Sequence, residues 1–293
     1  MHCNDFFGSK FPIVCLPMNG VSNLALAVAV SNAGGFPSLA LQMYVDQQNQ
    51  FDLNRVFQDL EQFAETTKST NLLFSVREDC LAIPQVLEIF KKVTHCELLG
   101  RPNLPYSQRI QNIDKIKSYG CRVLLKTQSF VSDLSIFDGV IFKSSDGAGR
   151  IDPTADSLET TLKKYRDLHP KKAIVPSGGI SNSQQVKTLL DNGADAVGIG
   201  TLFALSEESC VSKETKLKLV SSSSQDIEHL PTNSSMLNAV IFSKVNDNDL
   251  HNHTPSLLLG IKSPNWGHIP MGKGLDQVNS ILPVKVIIEN LMS

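Results

Sequence analysis

Short apolar runs alternate along this chain with longer stretches whose apolar positions recur at helical spacing. The short runs fall at 13–16 (IVCL), 36–40 (FPSLA), 71–76 (NLLFSV), 95–99 (HCELL), 121–125 (CRVLL), 138–142 (DGVIF), 173–176 (AIVP) and 195–199 (DAVGI). Helical periodicity covers 22–33, 52–67, 82–92, 108–118, 155–168 and 182–191 between them. Brief apolar runs bounded by turn residues read as buried strands, and strands alternating with helices imply a parallel sheet. Eight strands are the number that closes such a sheet, so the pattern predicts an α/β chain folded as a (β/α)8 TIM barrel. An open doubly wound sheet is the alternative. The connection at 126–137 is short enough to hold at most a turn of helix.

After Thr201 the texture changes. Residues 206–262 hold the run Ser221 to Ser224 and the polar stretch VNDNDLHNHT, and read as a helical or irregular excursion over the barrel mouth. The barrel is thus assigned to 1–205 and 263–293, and a lid or substrate-side segment to 206–262. Amphipathic spacing returns over 273–292, where Val278, Ile281, Leu282, Val286, Ile287 and Leu291 predict a closing helix.

With 293 residues and a net charge of −2, the chain suits one large domain and lacks the basic footprint of a nucleic-acid binder. No apolar run approaches the ~20 residues of a membrane span, and the first residues lack a charged-then-apolar leader, so a cytoplasmic protein is expected. The six cysteines are scattered without metal spacing, which predicts reduced, buried or semi-buried thiols. Of seven histidines only His251 and His253 lie close together, without a carboxylate or cysteine framework, and no metal site is expected.

In a β/α barrel the ends of the strands face the ligand. The stretch 173–201 contains two successive strand-to-helix turns, Ser177-Gly178-Gly179 and Gly198-Ile199-Gly200-Thr201. Glycine lets backbone N–H groups approach an anion, and the following helix N-terminus adds partial positive charge. These turns follow strands seven and eight, the usual phosphate seat of the fold. Pro17-Met18-Asn19-Gly20 ends strand one, as a turn laid along a flat heterocycle or as a plain loop. Lys126 ends strand five, where a lysine either meets an anion or snorkels to solvent. Strand six runs into Lys143-Ser144-Ser145-Asp146-Gly147-Ala148-Gly149-Arg150. Arg150 there either binds a carboxylate or phosphate or staples the loop to Asp146 or Asp152.

The stretches FPIVCLPMNGVSNLALAVAVSNAGGFPSLA, DGVIFKSSDGAGR, and PSGGI through GADAVGIGTLFALSEES together resemble the nitronate monooxygenase family, also called 2-nitropropane dioxygenase-like flavoproteins, and the related FMN-dependent enoyl-acyl-carrier-protein reductases. The resemblance covers most of 11–210 and, more loosely, the C-terminal stretch from Gly267. It implies a barrel holding FMN non-covalently, its phosphate on Gly178, Gly179, Gly200 and Thr201, within the turns that also carry Ser177, Gly198 and Ile199. It also implies Met18 and Asn19 beside the flavin ring, Lys126 near its N1 edge, and Lys143 and Ala148 along the cofactor, with Pro17 and Ser75 as further cofactor-binding candidates.

Two departures stand out. The family loop usually reads E-A-G-G-H with a catalytic histidine, and this chain has Arg150 in that place. Arginine does not release a proton near neutral pH and cannot serve as the base. The family tends to place an asparagine at the end of strand three, where this chain has Phe74-Ser75-Val76; Asn71 lies at the wrong end, and His268 is a histidine able to approach from the closing segment. The expected function is an FMN-dependent oxidoreductase acting on a nitronate or similar small anionic substrate. Arg150, Lys126 and Asp146 are its candidate catalytic residues, with Arg150 anchoring the anion. The alternatives are an enoyl-thioester reductase, a flavin-binding accessory protein without catalysis, and a non-redox barrel enzyme acting on a sugar phosphate. The partner expected is a small-molecule substrate, with no nucleic acid and no membrane, and a homodimer is among the assemblies the sequence allows.

Overall fold

Strand β1 (Ile13–Cys15) begins a parallel series continued by β2 (Ser38–Ala40), β3 (Leu73–Arg77), β4 (His95–Leu99), β5 (Arg122–Thr127) and β6 (Gly139–Lys143). β7 (Gly149–Ile151) lies outside that series, which ends with β8 (Ala173–Ser177) and β9 (Val197–Ile199). A computed structural model describes residues 6–45, 50–100, 105–231, 236–242, 260–265 and 267–293. The sheet order is β1-β9-β8-β6-β5-β4-β3-β2, every pairing parallel. The ring shuts between β1 and the entry to β2: Phe36 donates its N–H to Ile13 O (2.8 Å) and accepts from Cys15 N (2.9 Å). That closure decides for the barrel over the open sheet.

The helices are α1 (Leu24–Asn32), α2 (Leu53–Thr67), α3 (Pro84–Glu88), α4 (Tyr106–Ser118), α5 (Leu158–Leu168), α6 (Ser183–Asp191), α7 (Thr201–Ala204), α8 (Lys213–Val220) and α9 (Val284–Met292). Helix α2 shows why they form: the Asp52 side chain caps the N–H of Arg55, and Val56, Leu60 and Phe63 make one buried face. The pattern over 82–92 resolves into 3-10 turns flanking the short α3, which opens on Pro84. No helix occupies 128–138.

At the N-terminal end of the strands, Phe7 and Phe36 pack on the His95 ring at centroid distances of 5.4 and 4.8 Å. The His95 Nε2–H donates to Phe6 O (2.9 Å), and burial lowers its pKa to about 4, which keeps it neutral. This plug leaves the opposite end for function. Asp195, just before β9, accepts from Ile174 N (2.8 Å) and from Arg166 of α5 (2.7 Å), tying a helix to two strands. Asp195→Ala is expected to lower stability by about 2 kcal/mol in urea unfolding, because Ile174 N–H would lose its acceptor inside the sheet.

Two expectations need correction. The excursion 206–262 is not simply helical or irregular: beyond α8 it contains β10 (Ile227–Pro231) and β11 (Met236–Ile241). With β12 (His268–Pro270) and β7 they form a four-stranded antiparallel sheet, β7 pairing Arg150 with Leu237. The closing helix does not span 273–292. A 3-10 turn covers Lys273–Gln277, and α9 starts only after Pro283, whose ring pre-sets the entry and whose predecessor is biased toward extended backbone. The inward face of α9 is Val284, Ile287, Ile288 and Leu291.

The polar stretch around His251 and His253 lies outside the described residues. Among the described residues, Cys15, Cys80, Cys96, Cys121 and Cys210 form no disulfide, no group of His, Cys, Asp and Glu is placed to hold a metal, and no helix is long and apolar enough to cross a membrane.

Candidate active site

The C-terminal ends of the barrel strands enclose two adjoining hollows. The first has a volume of about 220 Å³ and is floored by Leu16, Pro17 and Met18 from the end of β1. Gly178 and Gly179 after β8, and Gly198, Gly200 and Thr201 around the end of β9, form one wall. Ala148 and Gly149, with Pro270 and Gly274 from the C-terminal segment, form another. The second is a wider cleft of about 560 Å³ bordered by Gln42, Ser75, Arg77, Glu97 and Arg150. Pro17, Asn19, Lys126 and Lys143 face both, so the two are compartments of one site.

The glycines here have different reasons. At Gly178 (φ +98°) an added Cβ would lie 2.9 Å from Ser144 Oγ and 3.0 Å from Gly147 Cα, so the turn after β8 is pressed onto the loop after β6. Gly200 is free of such pressure: its Cβ would meet only Met18 Sδ, at 3.8 Å. Side-chain absence there leaves open volume inside the cavity, which suits a ligand rather than the packing of the fold.

Most of the residues singled out from the sequence converge on this site. Two do not face it. Ser177 is buried and donates its hydroxyl to Phe142 O (2.7 Å), and Ile199 is part of the core. Asp146 borders neither compartment and instead pairs with Lys273 (2.6 Å). Asp152 accepts from Ser129 (2.7 Å) and Thr154 (2.6 Å). Of the two readings of Arg150, the loop staple is therefore not made: both carboxylates are engaged elsewhere, and Arg150 is exposed on the cleft. His268 is buried in β12 and borders neither compartment.

Three positions at or beside the site escaped the sequence reading. Glu97, near the end of β4, is buried; its Oε1 accepts from Ser75 Oγ (2.8 Å) and its Oε2 lies 3.9 Å from Lys126 Nζ. A carboxylate inside HCELL is the same anomaly that exposed Lys126, and could have been read the same way. Asn238 of β11, 2 % exposed, donates to Ser145 O (2.9 Å) and Gly147 O (2.8 Å), and its Oδ1 accepts from His229 (2.6 Å). It hooks the loop after β6 to the small sheet. Gln42 joins the cleft wall.

The electrostatics favour an anion. Burial lowers the Lys126 pKa, and Glu97 partly offsets this. Lys143 is brought down to about 7 by burial first, then by the neighbouring Lys126 charge, with Glu97 opposing and Arg150 adding. Three basic side chains thus face one buried carboxylate. Such a cleft gains most from a ligand that brings negative charge.

Comparison with known proteins agrees with the geometry. A family model described as nitronate monooxygenase matches residues 137–245, from the start of β6 into the small sheet. A nitronate monooxygenase of Pseudomonas aeruginosa is 26% identical, over 69% of this chain and 68% of its own length. FabK from Thermotoga maritima superposes with a TM-score of 0.80 at 19% identity, covering 98% of this chain and 93% of that one. A nitroalkane oxidase from Streptomyces ansochromogenes gives 0.72 at 18% identity, covering 98% and 96%. The two structures establish the shared fold. Together with the family model, the curated relative and the ordered motifs at the barrel mouth, they mark this chain as an oxidoreductase similar to the nitronate monooxygenase family.

Proposed function

We propose that this oxidoreductase is FMN-dependent and oxidises a nitronate or a similarly compact anion. The observation that carries the reading is Arg150, unpaired with Asp146 or Asp152, on a cleft that shares Lys126 and Lys143 with a glycine-walled, apolar-floored cavity. The residues fit a flavin phosphate ester. The apolar floor suits a planar ring, the open volume at Gly200 suits a group approaching the backbone, and two buried amines suit a ligand carrying negative charge.

FMN bound there would supply the electron transfer. The chain's own residues would do the rest: Leu16, Pro17 and Met18 exclude water from one face, and Lys126, held by Glu97, adds positive potential. Arg150 would bind the two oxygens of the substrate anion through its planar fork. Arg150 stays protonated, so it would orient the substrate without moving a proton.

The test is an absorbance spectrum of the purified protein, followed by anaerobic addition of propyl-nitronate and, separately, NADH or NADPH. Flavin bands bleached by nitronate support the reading. Bleaching by nicotinamide alone moves the assignment to the enoyl-thioester reductases. Bands that never bleach indicate a binding protein without turnover, and failure to take up FMN removes the flavin altogether. Arg150→Gln is expected to raise KM for the nitronate about tenfold with little change in kcat, since one charge-assisted contact to a bound anion is worth about 1.5 kcal/mol.

A further inference from the structure

Lys143 is the one amine that borders both compartments from the end of β6, and its arm is held in place. The Nζ donates to Ala148 O at 2.9 Å, and Gly147 lies so close that a Cβ there would sit 2.7 Å from both Lys143 Cγ and Cδ. Gly147 is itself held through its carbonyl by Asn238, so the small sheet fixes the loop against which the lysine lies. The charged groups facing the amine are Lys126 from β5, Glu97 from β4 and Arg150 from β7. Two cations against one carboxylate, with the amine partly buried, favour the unprotonated form. A neutral amine still donates to Ala148 O and keeps a lone pair for a proton.

Resting on the oxidoreductase reading above, we propose that Lys143 is the proton-transfer group of this site, its Nζ taking the acidic α-hydrogen of a neutral nitroalkane bound in the cleft. The C–H bond breaks, its electron pair moves through the C–N bond onto a nitro oxygen, and the proton forms the third N–H bond of the ammonium. The products are the nitronate and protonated Lys143, which returns its proton to solvent or to the carbon. The new anion lies among Lys143, Lys126 and Arg150. The base role absent at position 150 is thereby taken seven residues earlier.

The step needs no electron transfer, so it can be read apart from flavin turnover. Nitroethane is incubated anaerobically with the purified protein in deuterium oxide, and α-hydrogen exchange is followed by proton NMR across a pH series. The free amine is the active form, so enzyme-dependent exchange should rise with pH through about 7 and then level off. Lys143→Arg carries a permanent charge and does not release the proton, and should lower the exchange rate by about 10²- to 10⁴-fold. Ethylamine added to Lys143→Ala should restore part of the rate. Exchange that survives Lys143→Arg, or a wild-type profile without a plateau, overturns the proposal; the wild-type profile decides even if a variant fails to fold. Exchange without bleaching by nitronate would sink the redox reading and leave Lys143 standing. Bleaching without exchange would do the reverse.

Discussion

Gly200→Val is expected to yield a folded protein that no longer holds the FMN proposed for this cavity. The backbone at Gly200 has φ −119°, which any residue adopts, and the space beyond its Cα is cavity rather than packed protein. Valine there would therefore leave the barrel intact and occupy the volume next to Met18. Forcing a ligand past an added side chain costs about 3 kcal/mol, or roughly 100-fold in affinity. Far-UV circular dichroism and the melting temperature should match wild type while the bound FMN per chain falls to a trace. A Gly200→Val protein as yellow as wild type would mean that the cofactor does not reach this wall. Gly178 supplies the contrast. With φ +98° and the loop after β6 at 3.0 Å, a side chain there would strain the turn and displace Gly147, so folding and ligand binding would fail together.

Glu97→Leu should have the second largest effect. Both Glu97 and Lys126 sit inside the barrel mouth, with side-chain exposures of 3% and 13%. Removing the carboxylate leaves a buried ammonium without its counter-charge and Ser75 without its acceptor. Breaking one half of such a pair costs about 3 kcal/mol, read as a lower urea midpoint at unchanged slope. Glu97 also raises the affinity of Lys126 for its proton, so its loss shifts Lys126 toward the neutral amine. The cleft then holds less positive charge at neutral pH, and KM for an anionic substrate should rise. Glu97→Leu combined with Lys126→Met should recover most of the stability but none of the substrate affinity, because the pair is removed together with its charge. A double-variant loss equal to the sum of the Glu97→Leu and Lys126→Met losses would show that the two side chains are not coupled.

How far the site could be read in advance depended on the type of residue. In a β/α barrel the position after each apolar run is carried to the mouth by the topology, so Lys126, Gly178, Gly200 and Thr201 were legible from spacing, whereas Lys143 came from the family resemblance. Strand alternation spoiled the neighbours. Ser177 sits one residue before the glycines, and that single step turns its hydroxyl away from the ligand side to Phe142 O. Glu97 stood in plain view inside HCELL, but its partner Lys126 lies on the adjacent strand, and no local pattern joins them. A loop staple between Asp146 and Arg150 was one of two readings because they are near in sequence. In space Asp146 turns to Lys273, more than a hundred residues later.

By itself the sequence determined the eight strand segments, their order, the glycine turns after the last two, and the placement of basic residues at strand ends. Periodicity and turn chemistry act within a few residues and survive in a linear reading. Only the tertiary structure decided the closure at Phe36, the sheet that joins Arg150 to Leu237, and the hook of Asn238 on the loop after β6. It also decided which amine, Lys126 or Lys143, stands beside a carboxylate and which stands among cations. Those outcomes depend on contacts between segments far apart along the chain, where burial and neighbouring charge, rather than residue type, set the chemistry.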